Sequence, residues 1–364
     1  MLNVAFDLKN QIISKLEFSS NLDNLPNDNL LIMGMGGSGV AGDVMKVLSN
    51  EISDKNIIVR KDYSIPKQII NLRPFCLFIS YSGNTEETLS GISDAIENNL
   101  DWMVISSGGK LIDIAKKQDK VFIQIPGGLQ PRAAFGYLTL AVSKILDYLD
   151  GSNFVTQLQE VSEYLEILTQ MNDESEINKL SLEISESINN KTVVLYAGTD
   201  MSKVASSRWK TQINENSKSK AFVGNLPEVH HNEILSWDAD EDGSKNNFIV
   251  ILLRDKNEHT QIQKRFEFTK DLIGDKVKVL EVNLDNQENT LKTLLELVLL
   301  GDLVSLNLAK KLSIDPKNIE TIERLKDLNF EIISGASFAI ISINDSRSGA
   351  LITTILWGFA YGFL

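Results

Sequence analysis

The segment LIMGMGGSGVAGDV, residues 31–44, sets Gly34, Gly36 and Gly39 in a GxGxxG spacing directly after an apolar run. A strand that ends in glycines and opens a helix belongs to a parallel α/β sheet, where helix-start N–H groups face a phosphate. The first half of the chain repeats that grammar. LLIMG (30–34), NIIVR (56–60), FCLFIS (75–80), WMVIS (102–106) and VFIQI (121–125) are short apolar runs, each ending near Gly, Ser or Pro. Amphipathic stretches of helix length, such as TEETLSGISDAIENN (85–99), lie between several of them. Such alternation predicts parallel strands covered on both faces by crossover helices.

A longer helical region follows over about 133–185, with apolar residues at i, i+3 and i+4. The strand grammar then restarts with TVVLYAGTD (192–200), NNFIVILLRD (246–255) and KVKVLEVN (276–283). The strongly apolar TLLELVLLGDLVSLNLAKKL (293–312) predicts a helix long enough to cross the top of a sheet. The expected fold is α/β, with two doubly wound subdomains, 1–165 and 166–326, each a mainly parallel sheet flanked by helices. An atypical apolar extension, 327–364, ends the chain; its last fourteen residues fall short of the ~20 that a membrane helix needs.

Bulk composition narrows the partners. Across 364 residues, 36 Lys and Arg face 49 Asp and Glu, a net charge of −13, which disfavours nucleic acid and anionic membranes. A few local donors still suffice for a small phosphorylated ligand. The single cysteine, Cys76, rules out an internal disulfide framework and reads as a buried thiol in a reducing compartment. The N-terminal MLNVAFDLKNQIISKLE lacks a signal-peptide core, so a cytoplasmic location is expected.

Two readings of the glycine loop compete. A dinucleotide site wants an acidic residue at the end of the second strand, where this chain has Arg60-Lys61-Asp62. An NADP-dependent oxidoreductase would tolerate that arginine. The third strand, however, ends in ISYSGNTEETLS (79–90), which clusters Ser80, Ser82 and Thr85 before a helix. If strands one and three flank the point where strand order reverses, Gly37 and Ser38 face Ser80–Thr85. Neutral hydroxyls and two helix N-termini suit a compact phosphate monoester. The plainer alternative is that these residues only cap helices and shape turns.

GMGGSG (34–39), SYSGNTEET (80–88), PRAAFGYL (131–138) and LPEVHHNEILSW (226–237) occur in that order. Together they resemble the bifunctional phosphoglucose/phosphomannose isomerases of archaea and bacteria, which are built from two sugar-isomerase (SIS) subdomains. The resemblance spans about residues 25–326. It implies an aldose–ketose isomerase needing neither metal nor cofactor, interconverting glucose 6-phosphate and fructose 6-phosphate and extending to mannose 6-phosphate. That chemistry needs a phosphate grip, groups that open the sugar ring, one base that moves a proton between C2 and C1, and a cation for the enediolate. Gly37, Ser38, Ser80, Ser82 and Thr85 are the expected grip.

By resemblance, Glu215 in KTQINENSKSKAF (210–222), at the end of a predicted helix, is the proton-shuttling base. A glutamate works best there when partly desolvated. Arg132 would fix an enediolate oxygen, a task suited to an always-charged guanidinium. His231 would help open the ring from across the interface of a homodimer, and Lys326, in IETIERLK (319–326), would assist. His230 and His231 make a poor metal pair, because adjacent side chains diverge and no further ligands lie nearby. No role is assigned to His230, and His259, in RDKNEHTQ (254–261), reads as a surface residue. The rival from another class is a non-catalytic SIS-type sugar-phosphate regulator, which would carry a basic DNA-binding appendage. This acidic chain shows none.

Overall fold

A computed structural model describes residues 1–22, 28–50, 55–238, 241–283 and 290–325. Met1–Pro316 forms one compact unit and holds both sheets described below. The C-terminal extension, 327–364, lies outside the described residues, as does Lys326.

The first sheet comprises β1 (Asn29–Met33), β2 (Asn56–Arg60), β3 (Phe75–Ile79), β4 (Trp102–Ser106) and β5 (Phe122–Gln124). Its order is β2-β1-β3-β4-β5 and every pairing is parallel. The chain winds from β1 out to β2, then returns across β1 to place β3 on the other side. Strand order therefore reverses between β1 and β3, with Leu30 opposite both Ile57 and Phe75. A crevice opens beyond the carboxyl ends of strands at such a point.

Two-residue periodicity decides which face each strand side chain covers. Leu30, Ile32, Leu77, Ile79, Met103 and Ile105 join the large central core. Leu31, Met33, Cys76, Phe78, Trp102 and Val104 pack on the opposite face against Ile92 and Ala95 of the helix Glu86–Glu97 and Leu111 of the helix Gly109–Lys117. All five β3 residues are buried, Cys76 completely. Burial on both faces is why β3 reads as an unbroken apolar run.

The second sheet comprises β6 (Thr192–Ala197), β7 (Ala221–Asn225), β8 (Phe248–Arg254) and β9 (Lys278–Asn283), ordered β7-β6-β8-β9 and parallel throughout. Val193, Leu195, Ile249 and Ile251 share the central core with the first sheet. The edge strand β7 is absent from the sequence expectation. Only Ala221 and Gly224 of its five residues are buried, so AFVGN carries no clear apolar signature.

The helices between and beyond the two sheets add detail to that expectation. The helical region expected over 133–185 is present as a series of short and long helices. It consists of two 3-10 turns, Pro131–Ala133 and Asn172–Glu174, and the helices Phe135–Asp150, Phe154–Leu168 and Glu176–Ile188. Gly151, at φ 65°, closes the first helix in the left-handed conformation that glycine favours. The expected subdomain division at 165 falls inside the helix Phe154–Leu168. The expected apolar helix runs over Thr290–Lys311, and its main neighbours are the helices Asp200–Ser217, Glu176–Ile188 and Phe154–Leu168. A helix enclosed by other helices buries nearly its whole circumference, which accounts for its all-round apolar sequence. Among the described residues no helix is long and apolar enough to cross a membrane.

Candidate active site

The glycine loop links β1 to the helix Gly36–Ser49, which puts its N-terminal N–H groups at the crevice between β1 and β3. Ser38 is buried there, and its Oγ accepts the Tyr81 backbone N–H at 3.1 Å. One hydroxyl thus joins the glycine loop to the serine loop, and the condition on which the sequence reading rested is met. In the second loop, Ser80 Oγ and Thr85 Oγ1 lie 2.8 Å apart, and the Gly83 N–H donates to Ser80 Oγ at 3.1 Å. Gly83 has φ 69°, and a Cβ at that position would meet the Gly108 carbonyl oxygen at 1.8 Å, so only glycine fits the turn. Ser82 is exposed, and its Oγ accepts the Asn84 N–H at 3.3 Å.

The turn-forming reading of these hydroxyls therefore holds in part, because each takes part in the loop's own bonds. A serine hydroxyl that accepts a backbone N–H retains its proton for another acceptor. Loop building and anion binding are compatible at Ser38 and Ser82.

Arg132 enters from the turn Pro131–Ala133, which follows β5. Gly37 packs against it so closely that a Cβ there would stand 3.3 Å from Arg132 Cα and from the Pro131 carbonyl oxygen. The Arg132 guanidinium is buried, and each of its three nitrogens has a partner. Nε donates to Asn216 Oδ1 at 2.7 Å, Nη1 to Glu215 Oε2 at 3.2 Å, and Nη2 to the Pro316 carbonyl. Burial pulls its pKa below the usual arginine value, and Glu215 opposes that shift. The Glu215 side chain is 31% exposed against 5% for Arg132, so the carboxylate faces outward from a buried cation. Glu215 lies in the last turn of the helix Asp200–Ser217, as the sequence predicts. Gly37, Ser38, Ser80, Thr85, Arg132 and Glu215 are thereby linked through consecutive contacts at one crevice.

Sequence reasoning missed the residues behind this pair. Arg208, Gln212 and Asn216 are buried on the same helix as Glu215, and Arg208 donates to the Arg132 carbonyl at 3.1 Å and to Asp302 Oδ2 at 2.6 Å. Burial raises the Asp302 pKa, and Arg208 opposes it. A signal was present: Asp302 and Ser305 are polar residues inside the apolar run 293–312.

His231 stands apart. It is exposed on the 3-10 turn Glu228–His231 after β7, and among the described residues no hydrogen bond ties it to Arg132, Glu215 or the serine loops. His230 is engaged instead. Its Nε2 lies 2.8 Å from Thr269 Oγ1 and its Nδ1 3.1 Å from Arg265 Nη1, both on the helix Thr260–Ile273. His259 caps that same helix, accepting the Gln261 N–H through Nδ1 at 3.1 Å. Among the described residues no group of three or more His, Cys, Asp or Glu is arranged to hold a metal ion.

Two parallel sheets flanked by helices, with a serine and glycine cradle at a strand-order reversal, define an α/β protein of the sugar-isomerase (SIS) class. The model of the bacterial phospho-glucose isomerase C-terminal SIS domain matches residues 177–328. A bifunctional phosphoglucose/phosphomannose isomerase of Aquifex aeolicus is 36% identical over 310 residues, 84% of this chain and 91% of that protein. One from Caldicellulosiruptor bescii is 31% identical over 341 residues, 91% and 99% of the two chains. The solved C-terminal domain of glucosamine-fructose-6-phosphate aminotransferase from Francisella tularensis shares the fold, with a TM-score of 0.64 at 15% identity over 87% of this chain and 97% of that one. The chain belongs to the bifunctional phosphoglucose/phosphomannose isomerase family.

Proposed function

We propose that this chain interconverts glucose 6-phosphate with fructose 6-phosphate, and mannose 6-phosphate with fructose 6-phosphate, by proton transfer through a cis-enediolate. The observation that carries the proposal is the Arg132–Glu215 contact directly beside Gly37 of the phosphate loop. Gly37, Ser38, Ser80, Ser82 and Thr85 hold the 6-phosphate through hydroxyls and helix-start N–H groups. The open-chain sugar then extends toward Glu215. Its carboxylate removes the proton at C2 of the aldose, which is acidic because it neighbours the C1 carbonyl. Negative charge passes to the carbonyl oxygen, where the buried Arg132 guanidinium stabilises it. Transfer of the O2 hydroxyl proton to O1, with delivery of the abstracted proton from Glu215 to C1, completes the ketose.

Lys326 and His231 open the ring, with His231 acting in the site of a second copy of the chain. Its exposed position supports that role, as do the exposed Phe222, Leu235 and Phe268 on flanking elements. The working form is accordingly a cytoplasmic homodimer of chains with subdomains 1–165 and 166–326. Separation of the two sheets in sequence supports that division.

The test is direct. Purified chain, supplied with either aldose phosphate, should release fructose 6-phosphate, detected by a coupled assay or by NMR. No fructose 6-phosphate from glucose 6-phosphate would overturn the reading, and none from mannose 6-phosphate alone would remove its second half.

A further inference from the structure

We infer that Asn216 is a positioning residue that aims the Arg132 guanidinium, and that the helix Thr290–Lys311 anchors it through Ser305. The inference rests on the reading of Arg132 and Glu215 given above. Arg208, Gln212 and Asn216 recur at four-residue intervals on the helix Asp200–Ser217, so they share one face. All three are buried, at 1%, 3% and 2% exposure. Polar side chains buried between helices are costly unless paired. Here the pairing converges on Arg132.

Asn216 bonds on both sides of its amide. Its Oδ1 accepts from Arg132 Nε at 2.7 Å, and its Nδ2 donates to Ser305 Oγ at 2.9 Å. The Ser305 hydroxyl donates onward to the Asp302 carbonyl at 2.7 Å. Asp302 takes Gln212 Nε2 on Oδ1 at 2.7 Å and Arg208 Nη2 on Oδ2 at 2.6 Å. Arg208 also holds the Arg132 main-chain carbonyl. One helix face thus fixes both the backbone and the Nε end of Arg132.

A guanidinium is planar, so two bonds at its Nε and Nη2 ends set the direction of Nη1. That atom is the one that meets Glu215. The amide chemistry matters here. An asparagine oxygen accepts from the cation without neutralising it, which leaves the positive charge for a developing oxyanion. A carboxylate at the same position would pair with Arg132 and compete with both Glu215 and the substrate.

The experiment compares Asn216→Ala, Arg132→Ala and the double variant in the intact chain, with kcat and KM for fructose 6-phosphate and thermal melting as readouts. Misaiming a catalytic group by about an ångström costs up to about 100-fold in rate. Asn216→Ala is therefore expected to lower kcat about 10- to 100-fold with KM changed less than about threefold. In the Arg132→Ala background the same substitution should cost nothing further, because nothing remains to aim. Should Asn216→Ala fail to fold, Ser305→Ala removes only the anchor and should lower kcat about 3- to 10-fold, again only while Arg132 is present. Wild-type kcat in whichever of these variants folds, or an equal loss with and without Arg132, would overturn the positioning alone. Full activity in Arg132→Ala would overturn the site reading and the positioning with it.

Discussion

Arg132 Nη1 donates to Glu215 Oε2 at 3.2 Å although 83 residues separate the two. The contact joins the turn after β5 to the last turn of the helix Asp200–Ser217, and so ties the strand cradle of the first sheet to a helix associated with the second. The two partners differ in burial, 5% against 31%, which leaves the carboxylate as the reachable end of the pair. A substrate held by its phosphate at Ser38 and Ser80 would meet Glu215 before Arg132.

Glu215→Gln keeps the size of the side chain and an oxygen for Arg132 while removing the base. A positioned general base contributes about 10²–10⁴ in rate, so kcat should fall by that factor with KM little changed. Steady-state assays in both reaction directions check this. Undiminished turnover would reassign the proton transfer to another group.

Ser38 and Ser82 should separate loop building from ligand binding. Ser38→Ala leaves the buried Tyr81 N–H without its acceptor, a loss of about 1–3 kcal/mol, and also raises KM. Ser82→Ala, at an exposed position, should raise KM while leaving stability within about 0.5 kcal/mol. Urea unfolding of the two variants, beside their KM values, tests the distinction. Equal destabilisation would contradict it.

Asp302→Ala removes the partner of Arg208 and the acceptor of Gln212 together. Breaking a buried ion pair from one side typically costs about 3–5 kcal/mol, because the other charge is left unpaired. Chemical denaturation should show a loss in that range. A change below 1 kcal/mol, within the effect of an ordinary surface substitution, would mean that water reaches Arg208 and takes over the role of Asp302.

His230 predicts a stability change on acidification. Burial first, then Arg265 and His231, push its pKa below the ordinary 6.5. A neutral ring is also what the contacts require, since Arg265 Nη1 donates to Nδ1 and leaves Nε2–H for Thr269 Oγ1. Below 6.5 the unfolded chain binds a proton that the folded site resists, so this contribution is full above 6.5 and is lost as pH falls through the depressed value. Unfolding midpoints of wild type and His230→Gln, compared from pH 7.5 to about 5, should differ most at the neutral end. Parallel curves would refute the assignment.

Much of the fold was legible locally. Eight of the nine strands lie within apolar runs that the sequence marks, to within a residue or a few at their ends, because strands buried on both faces must be continuously apolar. The serine loop and the glycine loop were also legible, since turn geometry and helix starts demand particular residues. The edge strand β7 was not, because half of AFVGN faces outward. Arg208, Gln212 and Asn216 read as an ordinary polar helix face, and nothing local distinguishes a face turned to water from one turned to Asp302 and Ser305.

The sequence by itself determined the two sets of parallel strands and the hydroxyl and glycine chemistry of the loops, whereas the strand order that makes β1 and β3 neighbours came from the structure. The strands and the loop chemistry follow from hydrophobic periodicity and backbone conformation, which act over a few residues. Only the tertiary structure decided that Arg132 and Glu215 meet, that an amide at Asn216 holds the cation, and that His231 stands away from both. Those outcomes depend on how helices 80 to 90 residues apart pack, as in the bonds from Arg132 to Asn216 and from Asn216 to Ser305. Packing of that kind is settled by shape and by the pairing of buried polar groups, which no short window of sequence contains.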